Sequence, residues 1–88
     1  MKIVAEEYSV RVEDFPKKSR SRDIAHPRQI CMYLIRDMLG ISLPKIGDLF
    51  GGRDHSTVMY ACNEVSKLIQ QDTAFSIKLD DIKERLRG

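Results

Sequence analysis

Several things are scarce in this sequence, and each scarcity removes a class of protein. No apolar run exceeds six residues, Ile30 to Ile35. A membrane-crossing helix needs about 20, so no span is expected. The first seven residues include Glu6 and Glu7 and no apolar stretch, so no secretory signal is expected. There are 2 cysteines, Cys31 and Cys62, in apolar surroundings. They do not form a disulfide framework, and reduced thiols in a cytosolic core are expected. With His26 and His55 they give no C-x2-C or H-x3–5-H spacing, so no metal site is expected. The chain itself is short, 88 residues. That allows one modest core, with little left over for an enclosed catalytic cavity.

What is present is charge, unevenly placed. The formal net charge is only +2. Residues 16–36 nevertheless carry Lys17, Lys18, Arg20, Arg22, Arg28 and Arg36 against Asp23 alone, a local net of +5. The rest of the chain is near neutral or slightly acidic. A concentrated basic stretch suits contact with a polyanion. Charge alone favours the plainer reading, a solvated loop.

Between Pro16, Pro27, Gly40, Gly51-Gly52 and Asp72-Thr73 the apolar spacing is helical. A short helix is predicted over 2–9 and a further turn at 12–15. Residues 16–26 have no apolar period and read as an exposed basic loop. Pro27 suits a first helical turn, opening a helix to Leu39 with Cys31, Leu34, Ile35 and Met38 on its buried face. Gly40 fits the left-handed residue after a helix end. Ser42 is the expected N-cap of a helix over 43–50, and Asp54 of one over 54–70. In the latter, Val58, Ala61, Cys62, Val65, Leu68 and Ile69 form one apolar face. A last helix carries Phe75, Leu79, Ile82 and Leu86. Met32, Met38 and Met59 read as packing residues. No strand pair is evident, so the fold class is all-α in one domain over 1–88.

The helices at 43–50 and 54–70, joined by Gly51-Gly52-Arg53, make a helix-turn-helix. Its second helix would present Asp54, His55, Ser56 and Thr57 at its start, the part that meets base edges in such units. Helix pairs like this also occur in small all-α domains of other functions. Asp54-His55-Ser56 contains the residue types of a catalytic triad. Consecutive helical residues point about 100° apart, so the required relay is not expected.

Gly51-Gly52-Arg53-Asp54-His55-Ser56-Thr57-Val58-Met59-Tyr60-Ala61 resembles the signature of the C-terminal DNA-binding domain of the bacterial replication initiator DnaA. Pro27-Arg28-Gln29-Ile30 and Ser42-Leu43-Pro44-Lys45-Ile46-Gly47 are also similar, in the same order and at the same spacing. The resemblance implies sequence-specific binding of double-stranded DNA at TTATCCACA-like DnaA boxes of the replication origin. It implies a helix-turn-helix in the major groove and a basic loop in the adjacent minor groove. The chain has no G-x-x-x-x-G-K-[ST] phosphate loop. It therefore looks like a domain excised from a larger initiator that keeps its ATPase elsewhere. No cofactor is expected in this part, ATP belonging to the ATPase domain. The implied location is the cytoplasm, at the nucleoid.

The resemblance also assigns residues. Arg20 stands where the family inserts an arginine into the minor groove, whose negative potential suits a guanidinium. Asp54 is implied to accept from a base amino group, cytosine N4 being the natural donor, beside a capping role. His55 stands at a base-contacting position. Ser56 departs from the usual threonine and lacks the methyl that packs on thymine. Pro44 approaches a thymine methyl. Phosphate contacts are implied for Arg28, Gln29, Arg36, Leu43, Lys45 and Thr57, with Lys17, Lys18 and Arg22 adding attraction. Arg53 reads either as a DNA contact or as a brace for the turn. His26 replaces a frequent arginine. The absence of two-fold features favours a monomer on an asymmetric site. Regulatory proteins are further partners, since some domains of the family bind them here. Two rivals remain on the sequence: a stand-alone regulator with another target, and a helical domain docking on an acidic protein.

Overall fold

The computed structural model describes residues 1–17 and 22–88. Five helices follow one another: α1 (Lys2–Glu7), α2 (Arg22–Leu39), α3 (Leu43–Leu49), α4 (His55–Gln71) and α5 (Thr73–Arg87). A 3-10 turn, Val12–Asp14, follows α1. No strand occurs among the described residues. The expected all-α class holds, and the helix boundaries mostly fall within two residues of the sequence reading.

Each boundary has a local cause. α1 ends through Ser9, at φ +55. The Ser9 and Val10 amides return to the carbonyls of Glu6 and Ala5 at 3.3 and 2.9 Å. This pairing closes a helix with one left-handed residue. The Ser42 hydroxyl accepts from the Lys45 amide at the start of α3. The Asp72 carboxylate accepts from the Phe75 amide at 3.1 Å and begins α5. Gly40, at φ +64, follows α2 as expected.

The start of α2 is the main correction. The helix begins at Arg22, so Pro27 lies inside it and not in its first turn. The stretch 22–26, expected as loop, is helical. The prolyl nitrogen has no hydrogen to donate, and the lost ladder bond is offset by packing. Pro27 is fully buried. The His26 ring stands edge-on to Tyr8, just after α1, at 5.6 Å and 85°. It also lies 5.8 Å from the ring of Phe75 on α5. These contacts come from distant parts of the chain and leave no apolar period in the local sequence.

α2 packs mainly on α4, α3 on α4, and α5 closes over α4 and α1. Ile30, Met32, Ile46, Phe50, Val58, Val65, Leu79 and Ile82 form the centre of the core. Met32 is buried and Met38 half-buried, as packing residues should be. Met59 is not: it is 45% exposed on α4.

Candidate nucleic-acid interface

α3 and α4 enclose a turn organised by one backbone oxygen. The Gly47 carbonyl accepts from the amides of Phe50, Gly52 and Arg53 at 3.1, 3.0 and 2.9 Å. Gly47 is buried, and a Cβ there would collide with the Arg53 carbonyl. Only glycine permits that approach. The turn thus seats α4 with Val58, Ala61 and Val65 inward. Asp54, His55, Ser56 and Thr57 are left in solvent.

Three of these exposed side chains form a connected group. Asp54 holds the N-cap position with extended backbone angles, and the His55 and Ser56 amides help hold its carboxyl ionised. The carboxylate accepts from the Ser56 hydroxyl at 2.8 Å and lies 3.1 Å from His55 Nδ1. The Ser56 hydroxyl holds the Asp54 carboxyl below its ordinary range, and the adjacent His55 adds to this. The three residues meet at the aspartate, and the serine bonds the aspartate and not the imidazole. The order needed to activate a nucleophile is absent.

At the start of α3, Pro44 and Lys45 are exposed and Leu43 is half-buried. On α2, Gln29 is half-buried. Arg36 is exposed and donates to the Ile41 carbonyl at 3.0 Å. Lys17 is exposed and paired with Asp14 at 3.2 Å, a surface pair of small energetic weight. Lys18 and Arg20 lie outside the described residues. Arg22 is the first residue of α2, and its side chain also lies outside the described part.

Arg28 is placed differently from the expectation of a phosphate contact. It is only 7% exposed. Its Nε donates to the Phe15 carbonyl at 2.9 Å and its Nη2 to the Lys17 carbonyl at 3.1 Å. Arg53 is the brace that one reading of the sequence allowed. Its Nη1 donates to the Phe50 carbonyl and reaches that of Pro16 at 3.5 Å. Its Nη2 donates to Lys17 at 2.7 Å. Burial lowers the pKa of both arginines, and Arg28 is lowered further by Arg53. Apart from Phe50, three residues before Arg53, the partners of these side chains sit far along the chain, so no local pattern could have announced them. Among the described residues no cluster of histidine, cysteine or acidic side chains could hold a metal ion. No described helix is long and apolar enough to cross a membrane.

The profile of the family described as "Bacterial dnaA protein helix-turn-helix" matches residues 1–65. That match runs from α1 into the second half of α4 and contains the whole exposed group. The chain belongs to the bacterial DnaA helix-turn-helix family. A chromosomal replication initiator protein DnaA of Symbiobacterium thermophilum is 50% identical over 86 residues, 98% of this chain. The chain spans 19% of that relative's length. It corresponds to the C-terminal helix-turn-helix of DnaA, domain IV, the part of these initiators that binds DnaA boxes at the origin. This DnaA domain is a non-catalytic DNA-binding module. The exposed Asp54–His55–Ser56 group stands at the start of the second helix of this helix-turn-helix.

Proposed function

We propose that this chain reads DnaA boxes in duplex DNA as a monomer, with the start of α4 in the major groove and the basic stretch in the adjacent minor groove. The observation that carries this reading is the first turn of α4. It offers Asp54, His55 and Ser56 to solvent while the Ser56 hydroxyl holds the Asp54 carboxylate in place. A carboxylate is repelled by phosphate, so its place in this turn is to select and not to attract. Cytosine N4 is a donor that it would accept.

Affinity would come from elsewhere. Lys17, Lys18, Arg22, Gln29, Arg36, Leu43, Lys45 and Thr57 are assigned to phosphates, where contacts set register without reading sequence. Arg20 and Pro44 join the α4 residues as base-reading groups. We assign Arg28 a different task from phosphate binding, since its Nε and Nη2 are spent on the carbonyls of Phe15 and Lys17. The domain would act as one part of a larger cytoplasmic initiator whose ATPase, and with it ATP, lies in another domain. Regulatory proteins of that initiator are further partners for the same domain.

Titration of a TTATCCACA-containing duplex and its scrambled form at near-physiological salt tests this. A preference on the order of 10³ for the box is expected. Equal and strongly salt-dependent binding to both would overturn it, leaving only a basic patch. Binding to neither would move the domain to a protein-docking role.

A further inference from the structure

Two arginines meet at one backbone oxygen. Arg28, from α2, and Arg53, from the turn before α4, both donate Nη2 to the Lys17 carbonyl, at 3.1 and 2.7 Å. Arg28 also holds the carbonyl of Phe15, and Arg53 reaches that of Pro16. Three successive carbonyls, 15 to 17, are thus gripped by two guanidinium forks. Below them the rings of Phe15 and Phe50 are fully buried, with centroids 6.5 Å apart. Gly51 lets the two segments close: a Cβ there would strike the Pro16 carbonyl.

The chemistry of this junction argues for a positioning task. A guanidinium is a planar fork whose donors have fixed directions. Two of them sharing one acceptor bring like charges together, which a side chain aimed only at phosphate would avoid. Arg53 further bonds its own turn through Phe50. It therefore joins the stretch immediately before the basic segment to the turn immediately before the recognition helix. Elements tied together in advance have less freedom to lose on binding.

We propose that Arg53 is a positioning residue for DNA readout: it fixes the root of the basic segment against the turn that launches α4, so that both elements address their grooves at one spacing. This rests on the box-reading function proposed above. Arg53 acts through residues 15–17 and not through a contact of its own with a base.

Two altered boxes separate the grooves. Replacing adenines of the minor-groove tract by 2,6-diaminopurine adds an amino group in the minor groove and leaves the major-groove edge as it was. Replacing a thymine by uracil removes a methyl from the major groove alone. The unaltered chain is expected to lose about tenfold in affinity on the first and about threefold to tenfold on the second. With Arg53→Ala the diaminopurine penalty should shrink to about twofold or less, with the uracil penalty kept. Retention of both penalties would overturn the proposal. Loss of both together would also overturn it, marking Arg53 as a plain support of α4. Arg53→Lys keeps the cation and loses the fork, and serves if the alanine variant does not fold. It should lose the diaminopurine penalty too, and full retention would overturn the proposal. Failure of the underlying function looks different: the unaltered chain would then bind box and scrambled duplex equally.

Discussion

The Ser56 hydroxyl donates to the Asp54 carboxylate across 2.8 Å. A side chain expected to read DNA is therefore also the one that orients its neighbour. The same bond holds the Asp54 carboxyl below its ordinary value of 3.8. A depressed carboxyl stays ionised through the usual carboxylate range, and its contribution is lost only as pH falls through the lowered value.

Ser56→Thr should keep this hydroxyl bond and add the methyl that serine lacks. Affinity for a box with its thymines intact should rise about threefold to fivefold, and the gain should vanish on the uracil duplex. Ser56→Ala should move the Asp54 carboxyl back up toward its ordinary value, seen by carboxyl NMR titration. It should also weaken discrimination at the cytosine assigned to Asp54. An unchanged Asp54 titration in Ser56→Ala would show that the bond does not form in solution.

The turn tests close packing against backbone conformation. Gly51 and Gly52 have φ of +84 and +78. An added Cβ meets the Pro16 carbonyl at Gly51 and nothing within 4 Å at Gly52. Gly52→Ala should cost about 1 kcal/mol, for the left-handed conformation alone. Gly51→Ala should cost more, about 2–4 kcal/mol, because backbone must move as well. Thermal and denaturant unfolding of both variants measures the difference. Equal losses would place the Pro16 approach elsewhere.

Asp72 is an N-cap whose carboxylate bonds its helix, at the Phe75 amide. Asp72→Ala should destabilise the chain by about 1 kcal/mol. For a domain of this size that lowers Tm by about 4–8 °C. Asp54→Ala provides the contrast: its exposed carboxylate is held mainly by the Ser56 hydroxyl, so stability should change less than box discrimination does.

Cys31 is buried, and burial pushes its thiol up to about 12. The unfolded chain loses this proton near the ordinary value of 9.0, whereas the folded chain keeps it until about 12. The sign follows from linkage: below that window the thiol is neutral in both states and contributes nothing. As pH rises through it, the unfolded state is favoured by up to about 1.4 kcal/mol per pH unit. Denaturant unfolding from pH 8 upward should show that slope reduced in Cys31→Ala relative to the unaltered chain. Parallel slopes would mean the thiol is not buried in solution.

The sequence by itself determined the helices whose causes are local. Spacing of Val58, Ala61 and Val65 set the inward face of α4. Ser42 set the start of α3 through a bond three residues on. The same local logic left Asp54 to Thr57 outside, and the Gly51–Ala61 motif carried the family resemblance. These features depend on contacts within one or two turns, which a linear reading follows directly.

Tertiary structure decided what depended on residues far apart. α2 begins at Arg22, ahead of Pro27, because His26 lodges between Tyr8, at the end of α1, and Phe75 of α5. Arg28 turns inward to carbonyls 11 and 13 residues behind it. Arg53 spans 36 residues to Lys17. A guanidinium looks the same in sequence whether it will meet phosphate or a backbone oxygen. Only the folded chain supplies the acceptor, and so only the fold separates the arginines that hold this domain together from those left to meet DNA.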